Sequence, residues 1–513
     1  MKKRINTQSL ILFSLTSILV GCFYLLTATT RLTFANYAND SGDFLTAILT
    51  AGIPHPTGYP TYMLLGLVLQ KLPIGSEFFR AILVSLLPAA IGAGLLAALL
   101  RRFFLTSDHW SSFVFSFSSG VLWGLSTFLW SQAVIIEVHG LQSLFIVLAL
   151  WWILELLDEK TRASGASLPV LSFLFGLGLG NHITLSFFLP AIVLASVSAF
   201  RAGLPKKTLI SQLLFLLLGL LVYCYLPIRA AQMPPINWGN AATWEGFWWL
   251  VSGKVYHNLV FDITFEKIIS RIFAFAYFLR QQFGIIGIIL AVVGLFQHEF
   301  KSRWTRAILL YLFFVYAAFA ITYGTDDSVV YLLPSILVFA ILIGLSLSFL
   351  FPWRRKSIPL GQILIALCAV LFLVSIPQTF RNVDVRSNTS PADFAESALA
   401  KLPQNAILTT SSDPDSFPLW YYHYGLGLRP DLTIFTLPLT QFRWYQETLI
   451  HTYPKIRFPT PIQAMANKNQ NWGEQVAALN PTLPHCNSLV LRAETTQIQI
   501  SCSTGEVYNF IVN

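Results

Sequence analysis

The sequence predicts a mainly α-helical protein: a polytopic bundle of about eleven transmembrane spans followed by a small C-terminal α/β domain. Three observations predict this class. Apolar runs of roughly 20 residues, the length that crosses a bilayer core as a helix, recur from residue 8 to residue 377. Only 11% of the residues are charged, against about 25% in a soluble domain, so most of the chain does not have water as its solvent. After Arg381 the texture changes to mixed polar and apolar, with Pro, Asn, Asp and Thr throughout. The division expected is a membrane region at 1–378 and an outer domain at 379–513, the latter of ordinary domain size.

The expected spans are about 8–28, 80–104, 110–130, 139–157, 167–181, 183–200, 208–228, 283–299, 307–323, 329–351 and 360–377. The stretch 167–200 is the least regular. It holds Gly176, Gly178, Gly180 and then Asn181-His182, and reads as two short helices meeting outside or as one broken span. The first span has a rival reading as a lipoprotein signal, with Lys2-Lys3-Arg4 before it and Leu19-Val20-Gly21-Cys22 at its end. Apolar sequence continues through Phe23-Tyr24-Leu25-Leu26, which favours a retained anchor.

The net charge of +9 is distributed as a topology signal. Lys2-Lys3-Arg4, Arg101-Arg102, Lys160 with Arg162, Arg201 with Lys206-Lys207, Lys301-Arg303-Arg306 and Arg354-Arg355-Lys356 fall in the short loops at every second crossing. The positive-inside rule puts all of them in the cytoplasm. The expected partner is therefore a lipid bilayer, the plasma membrane, and no nucleic acid. The N-terminus is cytoplasmic and the C-terminal domain extracytoplasmic.

Two outer loops are long. The first, from Thr29 to about Phe79, contains Asn39-Asp40-Ser41-Gly42-Asp43 and His55-Pro56-Thr57-Gly58-Tyr59-Pro60. The second, Arg229 to Gln282, carries Trp238, Trp244, Phe247, Trp248, Trp249 and Tyr256, a density expected of an interfacial aromatic belt or of the wall of a lipid groove. In the outer domain, helices are expected at Pro391–Lys401, Phe417–Tyr424 and about Gln441–His451, with strands at Ala406–Thr410 and Leu432–Phe435. Cys486 and Cys502 flank two alternating stretches, Leu489–Arg492 and Gln497–Ile500, as a hairpin closed by a disulfide would. Cys22, Cys224 and Cys368 lie in apolar spans as packing residues.

The candidate chemistry lies at the outer ends of the spans. Asp40 and Asp43 stand three apart at the start of a short helix over Asp43–Thr50, where Asp40 is either a helix cap or a catalytic base. Glu137, in an apolar setting at the end of the third span, calls for a cavity or a partner. His182 follows Asn181 and is either a satisfied core histidine or a ligand contact. Arg229 sits outside against the charge rule, either snorkelling to headgroups or offering its fork of donors to a phosphate. Asp326-Asp327 read as solvated loop acids. No phosphate-cradling glycine loop, zinc cluster or serine-nucleophile elbow is present in the sequence, and Gly176, Gly178 and Gly180 suit helix packing. No cofactor is implied, and a divalent ion on Asp40 and Asp43 is left open.

Taken in order, Asp40-Ser41-Gly42-Asp43, His55-Pro56-Thr57-Gly58-Tyr59-Pro60, Glu137-Val138-His139, Gly178-Leu179-Gly180-Asn181-His182, Tyr225-Leu226-Pro227-Ile228-Arg229 and Asn237-Trp238-Gly239 resemble a large family of multi-spanning proteins long catalogued as a domain of unknown function. Its animal member is a transmembrane protein O-mannosyltransferase. The likeness covers most of residues 30–260, and Asp413 to Asp431 looks like the outer-domain pattern of bacterial members. It departs in having Thr57 where relatives have a second proline, and Asp43 where they commonly have Glu.

The resemblance implies a membrane glycosyltransferase of the C-type fold, moving a sugar such as mannose from a polyprenyl-phosphate donor to an extracytoplasmic acceptor, a protein Ser/Thr or a glycan. The family's catalytic acid maps onto Asp40 or Asp43. Arg229 would pair with the lipid phosphate, while His55, Glu137, His182 and Trp238 would hold donor or acceptor. The other classes in view are a transporter or flippase for a lipid-linked glycan and a non-catalytic envelope scaffold. A transferase needs Asp40 or Asp43 and Arg229 to converge on one groove; a transporter needs a central pathway.

Overall fold

The structure, a computed structural model, describes residues 7–107, 109–159, 165–260, 263–297, 303–459, 472–492 and 496–512. Lys2-Lys3-Arg4, Lys160, Arg162 and Lys301 of the basic clusters lie outside the described residues.

Among the described residues nine helices are long and apolar enough to cross a membrane: Thr7–Thr27, Glu77–Phe103, Val138–Leu157, Ile183–Arg201, Lys206–Ala230, Phe265–Leu295, Trp304–Thr322, Asp327–Leu350 and Leu360–Val383. Trp110–Gly124 and Thr127–Ala133 make a tenth only if taken together, because they meet at a bend of 61°. The expectation of eleven full spans is corrected at 167–181. The helix there, Leu168–Leu179, has 12 residues and reaches about 18 Å, well short of a hydrocarbon core of roughly 30 Å.

That short helix nevertheless carries the chain from one end of the bundle to the other. It runs parallel to the Lys206–Ala230 helix: Gly165 lies beside Thr208, Gly176 faces Gly219, and the Leu179 carbonyl accepts the Tyr223 hydroxyl at 2.7 Å. A Cβ on Gly176 would come within 2.6 Å of the Leu216 carbonyl oxygen. The glycine is thus needed for the close approach, the packing role expected of small residues between apolar helices.

The helix ends agree with local chemistry. Ser76 and Ser126 accept the amides of Phe79 and Leu129, capping the helices that follow them. Arg101 and Arg102 occupy the last turn of Glu77–Phe103, where a cation faces the negative end of the helix dipole. The described basic clusters share this end of the bundle, where Arg101 reaches Gln8 and Arg102 pairs with Glu155. The long loops lie at the opposite end.

There the C-terminal region forms one mixed sheet of strands β1 (Ile407–Thr410), β2 (Thr433–Thr436), β3 (His485–Arg492), β4 (Thr496–Cys502) and β5 (Val507–Val512), in the order β2-β1-β3-β4-β5. β1 pairs in parallel with β2 and β3, and β3-β4-β5 are antiparallel. Helices Ser390–Lys401, Asp413–Trp420 and Arg443–Thr452 lie close to the expected positions. Cys486 and Cys502 are directly opposed in the β3–β4 register and joined by a disulfide.

This sheet domain is seated on the two long loops. Arg31 pairs with both Asp393 and Glu396. Trp238 and Trp249 pack on Trp444, with ring centres 5.7 and 5.8 Å apart. Of the tryptophans in the second loop, Trp244 is 76% exposed, as an interfacial residue would be, whereas Trp238 and Trp249 are docking residues.

Candidate functional site

The Asp40-Ser41-Gly42-Asp43 run opens the Ser41–Thr50 helix, and each of its four residues has a different task. Asp40 occupies the N-cap position, but its side chain accepts none of the helix amides. The capping alternative is therefore not realised, and the carboxylate faces a cavity instead. Ser41 Oγ donates to the Ile136 carbonyl at 2.9 Å, fixing this turn to the segment that precedes Glu137. Gly42 lies under the outer domain, where a Cβ would meet the Phe417 carbonyl oxygen at 2.5 Å. Asp43 is wholly buried and accepts three donors: the His55 backbone amide at 2.9 Å, His55 Nδ1 at 2.8 Å and Trp238 Nε1 at 3.3 Å.

The two outer loops meet to build this arrangement. Ile53 donates its amide to Ile236 O, and Trp238 donates its own to Ile53 O, a short parallel bridge that brings the indole over Asp43. His55 is thereby held between two acids, Asp43 on Nδ1 and Asp40 Oδ2 at 3.6 Å from Nε2, with the Tyr59 hydroxyl 3.3 Å from the same nitrogen. Burial works against a charge on His55, but Asp40 and Asp43 outweigh it and hold its pKa at about 9. Burial raises the pKa of Asp40, opposed by the charge of His55. His55 is an imidazolium oriented by Asp43 and presented to Asp40.

The cavity has a volume of about 630 Å³ and is lined by Asp40, His55, Glu137 and His182 together. His182 Nδ1 accepts the Thr184 backbone amide at 3.2 Å. A backbone N–H can only donate, so the proton sits on Nε2, the ring nitrogen left for a ligand. The structure therefore brings together four of the residues singled out in the sequence. It does not bring Asp43, Trp238 or Arg229 into the lining. Asp43 and Trp238 stand behind His55. Arg229 donates to the Ala51 carbonyl at 2.6 Å, to the Thr50 carbonyl and to Gln232. It closes the carboxyl end of the Ser41–Thr50 helix, where a cation and extra donors are favoured.

Sequence reasoning missed two acids of the lining, Asp327 and Asp413. Asp327 is exposed, as a solvated loop acid should be, and it also faces this cavity. Asp413 comes from the outer domain. Its only sequence signal was a second acid two residues later: Asp415 forms the capping box with Ser412, leaving Asp413 uncommitted. His139, Tyr59 and Tyr331 complete the walls, with the His139, His182 and Tyr331 rings 5.5 to 5.8 Å apart. Among the described residues no group of three or more His, Cys, Asp or Glu is arranged to hold a metal ion.

Comparison with known proteins finds two matching family models. Residues 40–202 match the model described as the Protein O-mannosyl-transferase TMEM260 N-terminal domain, and residues 391–498 match TMEM260-associated domain 2. These two regions hold Asp40, His55, Glu137, His182 and Asp413. The chain belongs to the TMEM260 family.

Protein O-mannosyl-transferase TMEM260 of Mus musculus is 28% identical over 445 residues, 82% of this chain and 62% of that protein. The Dictyostelium discoideum protein of the same description is 22% identical over 475 residues, 82% of this chain and 57% of its own length. The chain thus spans about 60% of the length of the curated relatives it matches. Among solved structures, ArnT from Cupriavidus metallidurans bound to undecaprenyl phosphate aligns over 95% of this chain and 97% of its own, with a TM-score of 0.52 at 12% identity. The Archaeoglobus fulgidus oligosaccharyltransferase tethered with an acceptor peptide aligns over 96% and 70%, with a TM-score of 0.52 at 11% identity. The fold is that of the C-type membrane glycosyltransferases.

Proposed function

We propose that this protein is a membrane glycosyltransferase that moves a sugar, mannose by the naming of its relatives, from a polyprenyl-phosphate donor to a hydroxyl of an extracytoplasmic protein acceptor. The observation that carries the reading is the cavity in which Asp40 faces open space beside an imidazolium held by Asp43. The acceptor hydroxyl oxygen attacks the anomeric carbon of the donor, the bond from that carbon to the phosphate oxygen breaks, and Asp40 takes the hydroxyl proton as general base. The polyprenyl phosphate leaves with the bond's electron pair. Asp43 acts through His55, fixing its ring and its charge. Glu137 and His182, on another wall, orient sugar hydroxyls, the former as acceptor and the latter as Nε2–H donor.

In this reading residues 1–378 form the catalytic membrane part and 379–513 the outer domain. The N-terminus and basic clusters face the cytoplasm, and the cavity and sheet domain lie outside the plasma membrane. The disulfide suits that oxidising side. The test is incubation of purified protein with labelled polyprenyl-phosphate sugars, following transfer to Ser/Thr peptides and release of free sugar. Turnover of the mannose donor is expected. Inertness toward every such donor, with the protein folded, would remove the proposal.

A further inference from the structure

The outer domain does more than cover the site, because one of its side chains lines the cavity. Asp413 is the first residue of the Asp413–Trp420 helix, and its carboxylate makes no hydrogen bond or ion pair with a described residue. Its neighbours satisfy the helix end instead. Asp415 accepts the backbone amides of Ser411 at 2.9 Å and Ser412 at 2.8 Å. The helix is pressed onto the Asp40 turn through Gly42, whose missing side chain leaves room for the Phe417 backbone. Two helix starts, one from each part of the chain, thus face one void with a carboxylate apiece, Asp40 beside His55 and Asp413 without a hydrogen bond or ion pair.

We propose that Asp413 is an acceptor-binding residue: it accepts a hydrogen bond from the acceptor peptide's backbone N–H beside the nucleophilic hydroxyl, and so holds that hydroxyl against Asp40. This rests on the transferase reading above. A second carboxylate repels the donor's phosphate, so its partner in the cavity is the uncharged substrate. The lipid-linked donor comes from the bilayer, and the peptide comes from the side on which the outer domain sits. Burial, then the charge of Asp40, raise the pKa of Asp413 to about 7, so its carboxylate accepts fully only above neutrality.

The experiment uses the purified full chain, labelled polyprenyl-phosphate mannose and a mixed set of Ser- and Thr-containing peptides. Asp413→Asn and Asp413→Ala should raise the peptide KM by on the order of ten- to a hundredfold, the scale of a lost charged hydrogen bond. The donor KM should stay at the wild-type level, and that unchanged donor binding also shows that the variants are folded. Asp413→Glu, which keeps the charge, should recover part of the peptide affinity. An unchanged peptide KM in both Asn and Ala variants overturns the inference, and so does an equal rise in the two KM values. If the wild-type protein neither transfers nor hydrolyses, the function it rests on has failed as well.

Discussion

The two ends of the bundle both carry charge, and they use it differently. At the basic end three guanidiniums are engaged: Arg101 donates to the Leu105 carbonyl, Arg102 pairs with Glu155, and Arg306 donates to the Gln297 carbonyl. At the other end Asp40 and Asp413 face a cavity, Asp40 with only the 3.6 Å approach of His55. A charge that closes a helix or neutralises a neighbour stabilises the fold. A charge held beside open space without a close partner has a desolvation cost and no structural return, and the proposed site rests on that contrast.

The sharpest way to break this contrast is Asp40→Asn. Its side chain caps nothing, so the thermal midpoint should fall only by what its charge lends to His55, while sugar transfer should fall about a hundredfold or more, the scale of a lost general base. A large loss of stability with proportionate activity would place Asp40 with the structural charges. Next in size is the pH response of the His55 pairing. The folded pKa of about 9 lies above the unfolded value of 6.5, so the pairing contributes stability fully below that unfolded value and loses it as pH rises through about 9. The wild-type midpoint should therefore fall across this window relative to His55→Gln. Parallel curves for the two proteins would refute the imidazolium.

Smaller effects are expected from the engaged charges. Arg102→Ala leaves Glu155, which is 3% exposed, without its cation. Because Arg102 itself is partly solvated, the cost should be about 1–2 kcal/mol in denaturation, with unaltered turnover per folded molecule. Arg229→Ala removes donors from the end of the Ser41–Thr50 helix and should cost about 1 kcal/mol. A raised donor KM in that variant, with stability intact, would instead return Arg229 to the lipid phosphate.

Much of this was legible in the sequence because it depends on local pattern. Apolar length gave most of the spans, the spacing of Cys486 and Cys502 matched their opposed register, and the order of short motifs pointed to the cavity. Which aspartate faces the cavity was not legible. Asp40 and Asp43 are both early residues of one short helix, and their fates are decided by Trp238 and His55 arriving from elsewhere. Arg229 was ambiguous for the same reason, since its carbonyl partners lie in the first loop. The close approach of Gly176 to Gly219 joins two segments, so neither segment alone reveals it. Asp413 hid behind a capping motif that belongs to its neighbour.

The seat of the Phe417 backbone on Gly42 also sets a timetable. During synthesis Asp40 leaves the ribosome well before Asp413, which follows every long apolar helix found among the described residues. Domains generally fold as units and in the order of their synthesis, so the bundle is in the membrane before the wall that completes its cavity exists. A half-made chain holds the Asp40 side of the cavity without the Asp413 side. Under the proposed reaction, it would own a base before it owned the surface that receives the peptide.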